Sequence, residues 1–410
     1  MAGDRQVGDL KIRWARDHMP VLGAIRARFE REKPLRGLTL SAVLHVEAKT
    51  AELALTLRAG GATVHLAAGN PLSTDDDVVA GLLAEGIDTR ARKGESTEEY
   101  TQAVHHLLEV DPELIIDDGA DLVALAHTAR SDRGRILGST EETTTGVIRL
   151  RALEAAGKLR FPAIDVNDAE MKHLFDNRFG GGQSILEGIF HATNLLIAGR
   201  TCVVAGFGWS GKGLAPRLRG LGADVIVTEI DPVRALEARL DGFRVMPMAQ
   251  AAPLADFIVT VTGQRDVVGP EVLPLLKDRC VLANAGHFDV EVSRAALLAA
   301  SKAHRTVRPQ VEEFSFADGR RVFLLSEGRL VNLASGQGHP VEIMDLSFAL
   351  QALSTEHLAL HSAQLAPKLY PVPPELDRSV AEAALPAFGV ALDRLTPAQQ
   401  RYARSWEVGT

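Results

Sequence analysis

Residues 201–232 read TCVVAGFGWSGKGLAPRLRGLGADVIVTEIDP: an apolar run, a glycine-spaced turn, a helical pattern and a second apolar run. In the core, Gly206-Phe207-Gly208-Trp209-Ser210-Gly211, Gly206 permits a tight turn after a strand. Gly208 lets the backbone approach a pyrophosphate, and Gly211 lets the next helix pack closely. That helix would aim unsatisfied N–H groups and its positive dipole end at the anion. GxGxxG alone also occurs in ordinary strand–turn–helix units. Here, however, the second run ends at Glu229, about twenty residues on, where a carboxylate accepts hydrogen bonds from an adenine-ribose diol. It would also repel a 2′-phosphate, so NAD is expected over NADP, although Arg234 offers a nearby guanidinium.

The 410 residues allow two or three domains of roughly 150 residues each. At 46% hydrophobic and 24% charged, the composition is that of an ordinary globular protein, not a disordered or fibrous one. A net charge of -8 argues against a nucleic-acid partner, which requires a basic face. Cys202 and Cys280 each fall in an expected buried strand. They read as small hydrophobes in a reducing compartment rather than a disulfide framework or metal site. The charged first residues do not suit a signal peptide, and no apolar run is long enough to span a bilayer, so a cytoplasmic location without a membrane partner is expected.

Strand candidates LTLSAVL, TVHLAAG, ELIIDDG and FPAIDV alternate with helical patterns such as AKTAELALTLRAGG and TEEYTQAVHHLLEV. A second series follows: TCVVAG, DVIVTEI, DFIVTVTG, CVLANAG and RVFLLSEG. Continuous apolar strands separated by crossovers predict an α/β protein with doubly wound parallel sheets in two domains. Gly180-Gly181-Gly182 reads as a hinge or a tight turn between them.

Polar groups gather where such sheets bind ligands, at C-terminal strand ends. Asp117, Asp118 and Asp121 follow one strand; Glu141, Glu142, Thr143, Thr144 and Thr145 follow another. Lys172 and Asp176 share a helical face at i, i+4, flanked by Asn167 and Asn177, while His287, Asp289 and His339 lie in or beyond the second series. Each has a plainer reading. The Asp run could be a solvated turn with Asp121 as a cap, and Ser139 with Glu142 could form a capping box. Lys172–Asp176 could be a surface ion pair worth about 0.3–0.5 kcal/mol. A lone histidine such as His45 or His287 is often structural.

DDGADL, EETTTGVIRL, PAIDVNDAEMKHLFDN, VVAGFGWSGKG, VTEIDPVRALEA, GHFDVEV and EGRLVNLASGQGHP together resemble the S-adenosylhomocysteine hydrolase (adenosylhomocysteinase) family, in family order over nearly the whole chain. The resemblance implies a substrate domain over 1–183, a Rossmann NAD-binding domain over 184–337, a returning segment over 338–371 and a tail over 372–410. It also implies a homotetramer, a nucleoside thioether substrate, and a resident NAD that is reduced and reoxidised in each turnover. In such enzymes the 3′-hydroxyl is oxidised, the 4′ proton is lost, homocysteine leaves from C5′, water adds, and the ketone is reduced. By the same resemblance, Lys172 and Asp176 serve the ribose hydroxyl, with a lysine pKa that is lowered or a proton that is relayed. His45, Asp118 and His287 share the acid–base work at C4′ and sulfur. Glu142 and Asn177 match ribose-binding positions, Asn177 also lying near the cofactor. Thr143, Thr144 and Thr145 match a hydroxyl run on NAD, Asn332 a nicotinamide contact, and His339 a residue near the base and access gate.

Two departures alter the expectation. Around His45 the common members read LHMTVETA, whereas here the segment is LHVEAKTA, placing Lys49 where a glutamate reads the adenine amino group. An ammonium only donates, which suits a hypoxanthine carbonyl; alternatively Lys49 turns away and Glu47 or the backbone reads the base. The wording resembles archaeal and thermophile-type members, some of which prefer S-inosylhomocysteine. The end, RYARSWEVGT, lacks the lysine- and tyrosine-bearing tail that reaches a neighbouring subunit's NAD in longer members. Gly181 replaces a family cysteine. A non-catalytic NAD-binding regulator is the rival of a different class.

Overall fold

A computed structural model describes residues 3–129 and 136–406. Among these residues the strands form two sheets. The first contains β1 (Thr39–Leu44), β2 (Thr63–Ala68), β3 (Asp88–Arg90), β4 (Leu114–Asp117), β5 (Gly138–Glu141) and β6 (Ala163–Asp165). The second contains β7 (Thr201–Ala205), β8 (Asp224–Thr228), β9 (Arg244–Val245), β10 (Phe257–Thr260), β11 (Cys280–Asn284), β12 (Ala303–Arg308), β13 (Val311–Ser315) and β14 (Arg321–Leu325). The chain then returns to the first sheet, where β15 (Leu369–Pro371) pairs in parallel with β6.

The first sheet runs β15-β6-β5-β4-β1-β2-β3 and is parallel throughout. The second runs β12-β13-β14-β11-β10-β7-β8-β9, parallel from β9 to β14. Each sheet winds outward in both directions from its first strand, so each has a switch point: β1/β4 in one, β7/β10 in the other. Ligands bind outside the carboxyl ends of strands at such points. One detail departs from the expected parallel sheets: β12 and β13 are antiparallel additions at the edge. The exposed β12 (AHRTVR) carries Arg305 and Arg308, which suits an edge strand that must not recruit another.

Apolar strand faces and helices fill the interior. Helix 341–361 crosses the first sheet and adds Leu346, Phe348, Leu350 and Leu358 to its core. Cys202 and Cys280 are buried in β7 and β11, as expected, and neither is bridged. The glycine triplet is not a turn. Residues 173–180 form a π-helical segment that runs directly into helix 181–193. The glycines serve close packing: a Cβ on Gly182 would lie 2.6 Å from the Gly213 carbonyl oxygen, and one on Gly180 would lie 2.9 Å from the His339 ring.

Candidate active site

The first sheet's switch point supplies two polar residues at once. His45 follows β1 and Asp118 follows β4, and His45 Nε2 lies 3.3 Å from Asp118 Oδ2. From beyond β11 of the other sheet, His287 places Nδ1 3.4 Å from Asp118 Oδ1. Asp118 is thus held between one imidazole from each sheet. Gly119 makes this possible. Its φ of +109° suits glycine, and a Cβ there would stand 2.3 Å from His287 Nε2. His45 Nδ1 also lies 2.6 Å from Ser73 Oγ. Burial, only partly opposed by Asp118, lowers His45 to about 4, so the ring is neutral at physiological pH.

Two residues without an assigned role in the sequence reading hold this turn. Asp117 and Glu141 are register partners on β4 and β5, and both are buried. Asp117 Oδ2 accepts the Val123 N–H (2.8 Å), and Glu141 Oε1 accepts the N–H groups of Gly119 (2.8 Å) and Thr143 (3.0 Å). Burial pushes Asp117 up to about 8 and raises Glu141 well above the usual carboxylate range. Asp121 bonds Arg149 and Tyr100 rather than standing in a solvated turn. The Ser139 capping box does not form: Ser139 lies inside β5, and Thr143 precedes the helix Thr144–Ala155.

A second cluster faces the same cavity. Lys172 Nζ donates to Asp176 Oδ1 and Asn177 Oδ1, both at 3.0 Å, and stands 3.4 Å from Glu142 Oε1. The π-helical spacing explains how one ammonium meets both i+4 and i+5. With Lys172 5% and Asp176 2% exposed, the surface-pair reading is excluded. The lowered lysine pKa does not hold either. Burial alone would lower Lys172, but Asp176 and Glu142 outweigh it and raise it. Burial would likewise raise Asp176, yet Lys172 and then His339, whose Nδ1 is 3.2 Å away, hold it well below the usual range. Burial pushes Glu142 up to about 7 against the pull of Lys172.

Ser347 and Gln351 were not legible as site residues. Both are fully buried on helix 341–361, where Ser347 Oγ donates to Asp176 Oδ2 (3.0 Å) and Gln351 Nε2 donates to Glu142 Oε2. Their i, i+4 spacing places one donor on each carboxylate.

The cavity has a volume of about 110 Å³. It is lined by His45, Asp118, Glu142, Thr143, Lys172, Asp176, His287, Asn332 and His339, together with Glu47 and Lys49. Asn177 reaches it through Lys172, and its amide nitrogen donates to Asn167 Oδ1 (3.2 Å). Lys49 lines the cavity, with Nζ 2.7 Å from the Gln337 carbonyl oxygen and 2.9 Å from Glu47 Oε2. Glu47 caps its own helix, accepting from the N–H groups of Lys49 and Thr50.

Gly206, Gly208, Gly211 and Glu229 lie outside this lining, at the second sheet's switch point. Their geometry fits a dinucleotide. Gly206 has φ +102°, and a Cβ on Gly211 would meet the Gly206 carbonyl oxygen at 2.1 Å. A Cβ on Gly208 would meet only Arg234 Nη1, at 3.7 Å, so that side of the turn is open. Helix 209–220 has no side-chain cap among the described residues, leaving its first N–H groups for an anion. Glu229 accepts the Phe207 N–H (2.7 Å) through Oε2 and the Ile230 N–H through Oε1, bracing the turn. Thr144 Oγ1 accepts from Asn167, while Thr145 Oγ1 comes within 3.9 Å of a Cβ built on Gly263, beyond β10. Asn332 Oδ1 is buried with no hydrogen-bond partner among the described residues, an open acceptor for a carboxamide N–H.

The family profile described as "S-adenosyl-L-homocysteine hydrolase, NAD binding domain" matches residues 177–338, and "S-adenosyl-L-homocysteine hydrolase" matches residues 3–136. The S-inosyl-L-homocysteine hydrolase of Methanopyrus kandleri is 54% identical, covering 97% of this chain and 95% of its own length. The adenosylhomocysteinase of Thermoplasma volcanium is 55% identical, covering 98% and 99%. The S-inosyl-L-homocysteine hydrolase of Methanocaldococcus jannaschii is 50% identical, covering 98% and 97%. Likeness of this extent, on a chain whose two switch points carry a dinucleotide turn and a converged acid–base cluster, places the protein in the S-adenosyl-L-homocysteine hydrolase family, as an enzyme that uses NAD.

Proposed function

We propose that the protein hydrolyses S-adenosyl-L-homocysteine reversibly to adenosine and homocysteine. The observation that carries this reading is Asp118 between His45 and His287, on the same cavity as Lys172, Asp176 and Glu142. Gly206, Gly208, Gly211, Glu229, Asn332 and Thr143–Thr145 would hold the NAD. When bound, NAD supplies a reversible two-electron oxidation at the ribose 3′ carbon, which acidifies the neighbouring 4′ C–H. Lys172 is charged in the resting site and takes up the 3′-hydroxyl proton only by passing its own onward. Glu142, at 3.4 Å and about 7, is the acceptor matched to that relay. Asp176, Asn177 and Ser347 keep the ammonium aimed. The trio His45–Asp118–His287 moves the protons at C4′ and at the departing sulfur, with neutral His45 as a proton acceptor. Convergence of all these groups on one cavity favours catalysis over a regulatory NAD-binding role.

Lys49 supports a second reading, S-inosyl-L-homocysteine as substrate. The Glu47 carboxylate is filled by donors, and Lys49 commits two of its three N–H groups, leaving a donor at the cavity wall. Such a donor serves a hypoxanthine carbonyl or a ring nitrogen of adenine. Comparing kcat/KM for the two thioethers on NAD-loaded protein decides between them, and Lys49→Met should narrow any preference for the inosyl compound. Cleavage of neither would end the hydrolase reading, and steady NADH accumulation with added NAD would identify a net dehydrogenase instead.

A homo-oligomer, a tetramer in the family resemblance, is also proposed. Ile230, Val233, Leu236 and Leu240 expose an apolar stripe on and beside helix 232–240, 60% exposed or more at each position. A cytoplasmic location is proposed from the unbridged cysteines. No helix among the described residues is long and apolar enough to cross a membrane.

A further inference from the structure

A second cluster of histidine and carboxylate lies outside the cavity. His65 on β2 and Asp88 at the start of β3 are register partners in the parallel pair. His106, in the last turn of helix 97–109, comes down on them from the face that the helix covers. His65 Nδ1 is 2.9 Å and His106 Nε2 3.0 Å from the same oxygen, Asp88 Oδ2, and the two rings meet edge to face with centroids 6.4 Å apart. One ligand atom from each residue lies within 4.8 Å of the others.

We propose that His65, Asp88 and His106 form a binding site for a divalent transition-metal ion of the class that favours imidazole, such as Ni2+, Co2+ or Zn2+. Two imidazole nitrogens and one carboxylate oxygen are a donor set suited to these ions. The spacing fits as well. Bonds of about 2.1 Å at right angles put neighbouring ligand atoms about 3.0 Å apart, and at tetrahedral angles about 3.4 Å. The two nitrogen-to-oxygen separations, 2.9 and 3.0 Å, match the first, the two nitrogens lie within 4.8 Å of each other, and a small outward turn of side chains that are 16%, 35% and 26% exposed would bring the set to either geometry. That exposure leaves room for water on the remaining positions. The three ligands come from two strands and a helix, so their backbone frame is set by the sheet and by helix packing rather than by a loop. Arg90 Nε, 3.6 Å from Asp88 Oδ1, is the competing cation and would stay on the other carboxylate oxygen. Without metal, both imidazoles must present N–H to one oxygen; with metal, both present lone pairs, so binding weakens as the rings are protonated.

Calorimetric titration of tag-free, EDTA-treated, NAD-loaded protein with Ni2+ tests the site, with melting temperature as a second readout. His45, Asp118 and His287 also have metal-ligand spacing, so the wild type is compared with His106→Ala and Asp88→Asn. Saturable binding in the wild type should lose one equivalent in both variants. Affinity at that equivalent should fall more than about a hundredfold, beyond what losing a supporting contact costs. The metal-induced rise in melting temperature should go with it, while nucleoside-thioether turnover stays at the wild-type rate. No saturable binding in the wild type below 100-micromolar-scale Ni2+ (about 10⁻⁴ M, the weak end of biological sites) would overturn the proposal. So would unchanged stoichiometry and affinity in either variant.

Discussion

Replacing Gln351 with Leu removes one donor from a buried carboxylate and keeps the side-chain volume close. Gln351 is fully buried, and its Nε2 is bonded to Glu142 Oε2. A hydrogen bond to a charged group contributes about 1.5–3 kcal/mol. Its loss falls on the ionised form of Glu142, because a leucine serves neither form. Taking about 2 kcal/mol, and about 1.4 kcal/mol per pH unit, the carboxyl should rise by about 1.5 pH units. From about 7 it would move to the mid-eights, as a carboxylate already raised by burial is raised further. In the proposed relay Glu142 receives the proton only when ionised, so activity is expected above its pKa and lost as pH falls through it. At pH 7 the ionised fraction, and with it kcat, should drop about fifteenfold, recovering to within about twofold at pH 9. Homocysteine release from pH 6 to 9 with a thiol reagent reads this directly, and the two buried cysteines contribute little background in the folded protein. Ser354→Ala, a buried neighbour with an unpartnered hydroxyl on the same helix, controls for packing. An acid limb left in place, or a loss equal at every pH, would refute the relay through Glu142.

Gly208→Ala should fold like the wild type and lose NAD, since its Cβ meets only Arg234 in the protein itself. Gly211→Ala should lose both NAD and melting temperature, because its Cβ strikes the Gly206 carbonyl. Cofactor content after gel filtration and thermal melts check the pair. Gly119→Ala combines a positive φ with a strike on His287; a destabilisation of about 1–3 kcal/mol in denaturant melts, with turnover lost, is expected. Lys172→Met should cut turnover about a hundredfold or more. In the wild type, Asp176 is held low by its partners, so its contribution to stability persists until strong acid. In the variant both carboxyls lose the Lys172 charge and rise, so the melting temperature should climb more steeply as pH falls from 8 to 5.5 than in the wild type, where Glu142 alone, at about 7, contributes to that slope.

Strand ends were readable where short apolar runs stop abruptly, at DDG and NAGH, and parallel sheets gather such ends at one edge; β5, GSTE, has no apolar residue to mark it. Lys172 and Asp176 were readable as neighbours through local spacing. Their charge states were not, because both are set against a burial that the whole fold creates, with Glu142 adding to the pull of Asp176 on Lys172 and His339 bearing on Asp176 from a distant segment. Ser347 and Gln351 sit in a helix buried on nearly every side, so periodicity marks no face, and their partners lie 171 and 209 residues away. The polar β12 has no alternation to betray a strand. The turn reading of the glycine triplet failed because glycine serves close helix packing as well as turns.

The route of helix 341–361 and β15 back to the first sheet has a consequence for synthesis. The second sheet is complete once residue 325 has emerged, but the first waits for Leu346, Phe348, Leu350 and β15, made long after β6 ends at Asp165. At about 5–20 residues per second, that gap is roughly ten to forty seconds. For the last part of it, after residue 325, the nascent chain holds a finished cofactor sheet beside an open apolar half-core. Chaperone demand should therefore concentrate on the first half of the molecule, although it is made first, and a ribosome stalled where residue 325 but not helix 341–361 has emerged should expose more protease-sensitive sites before Asp165 than after Thr201.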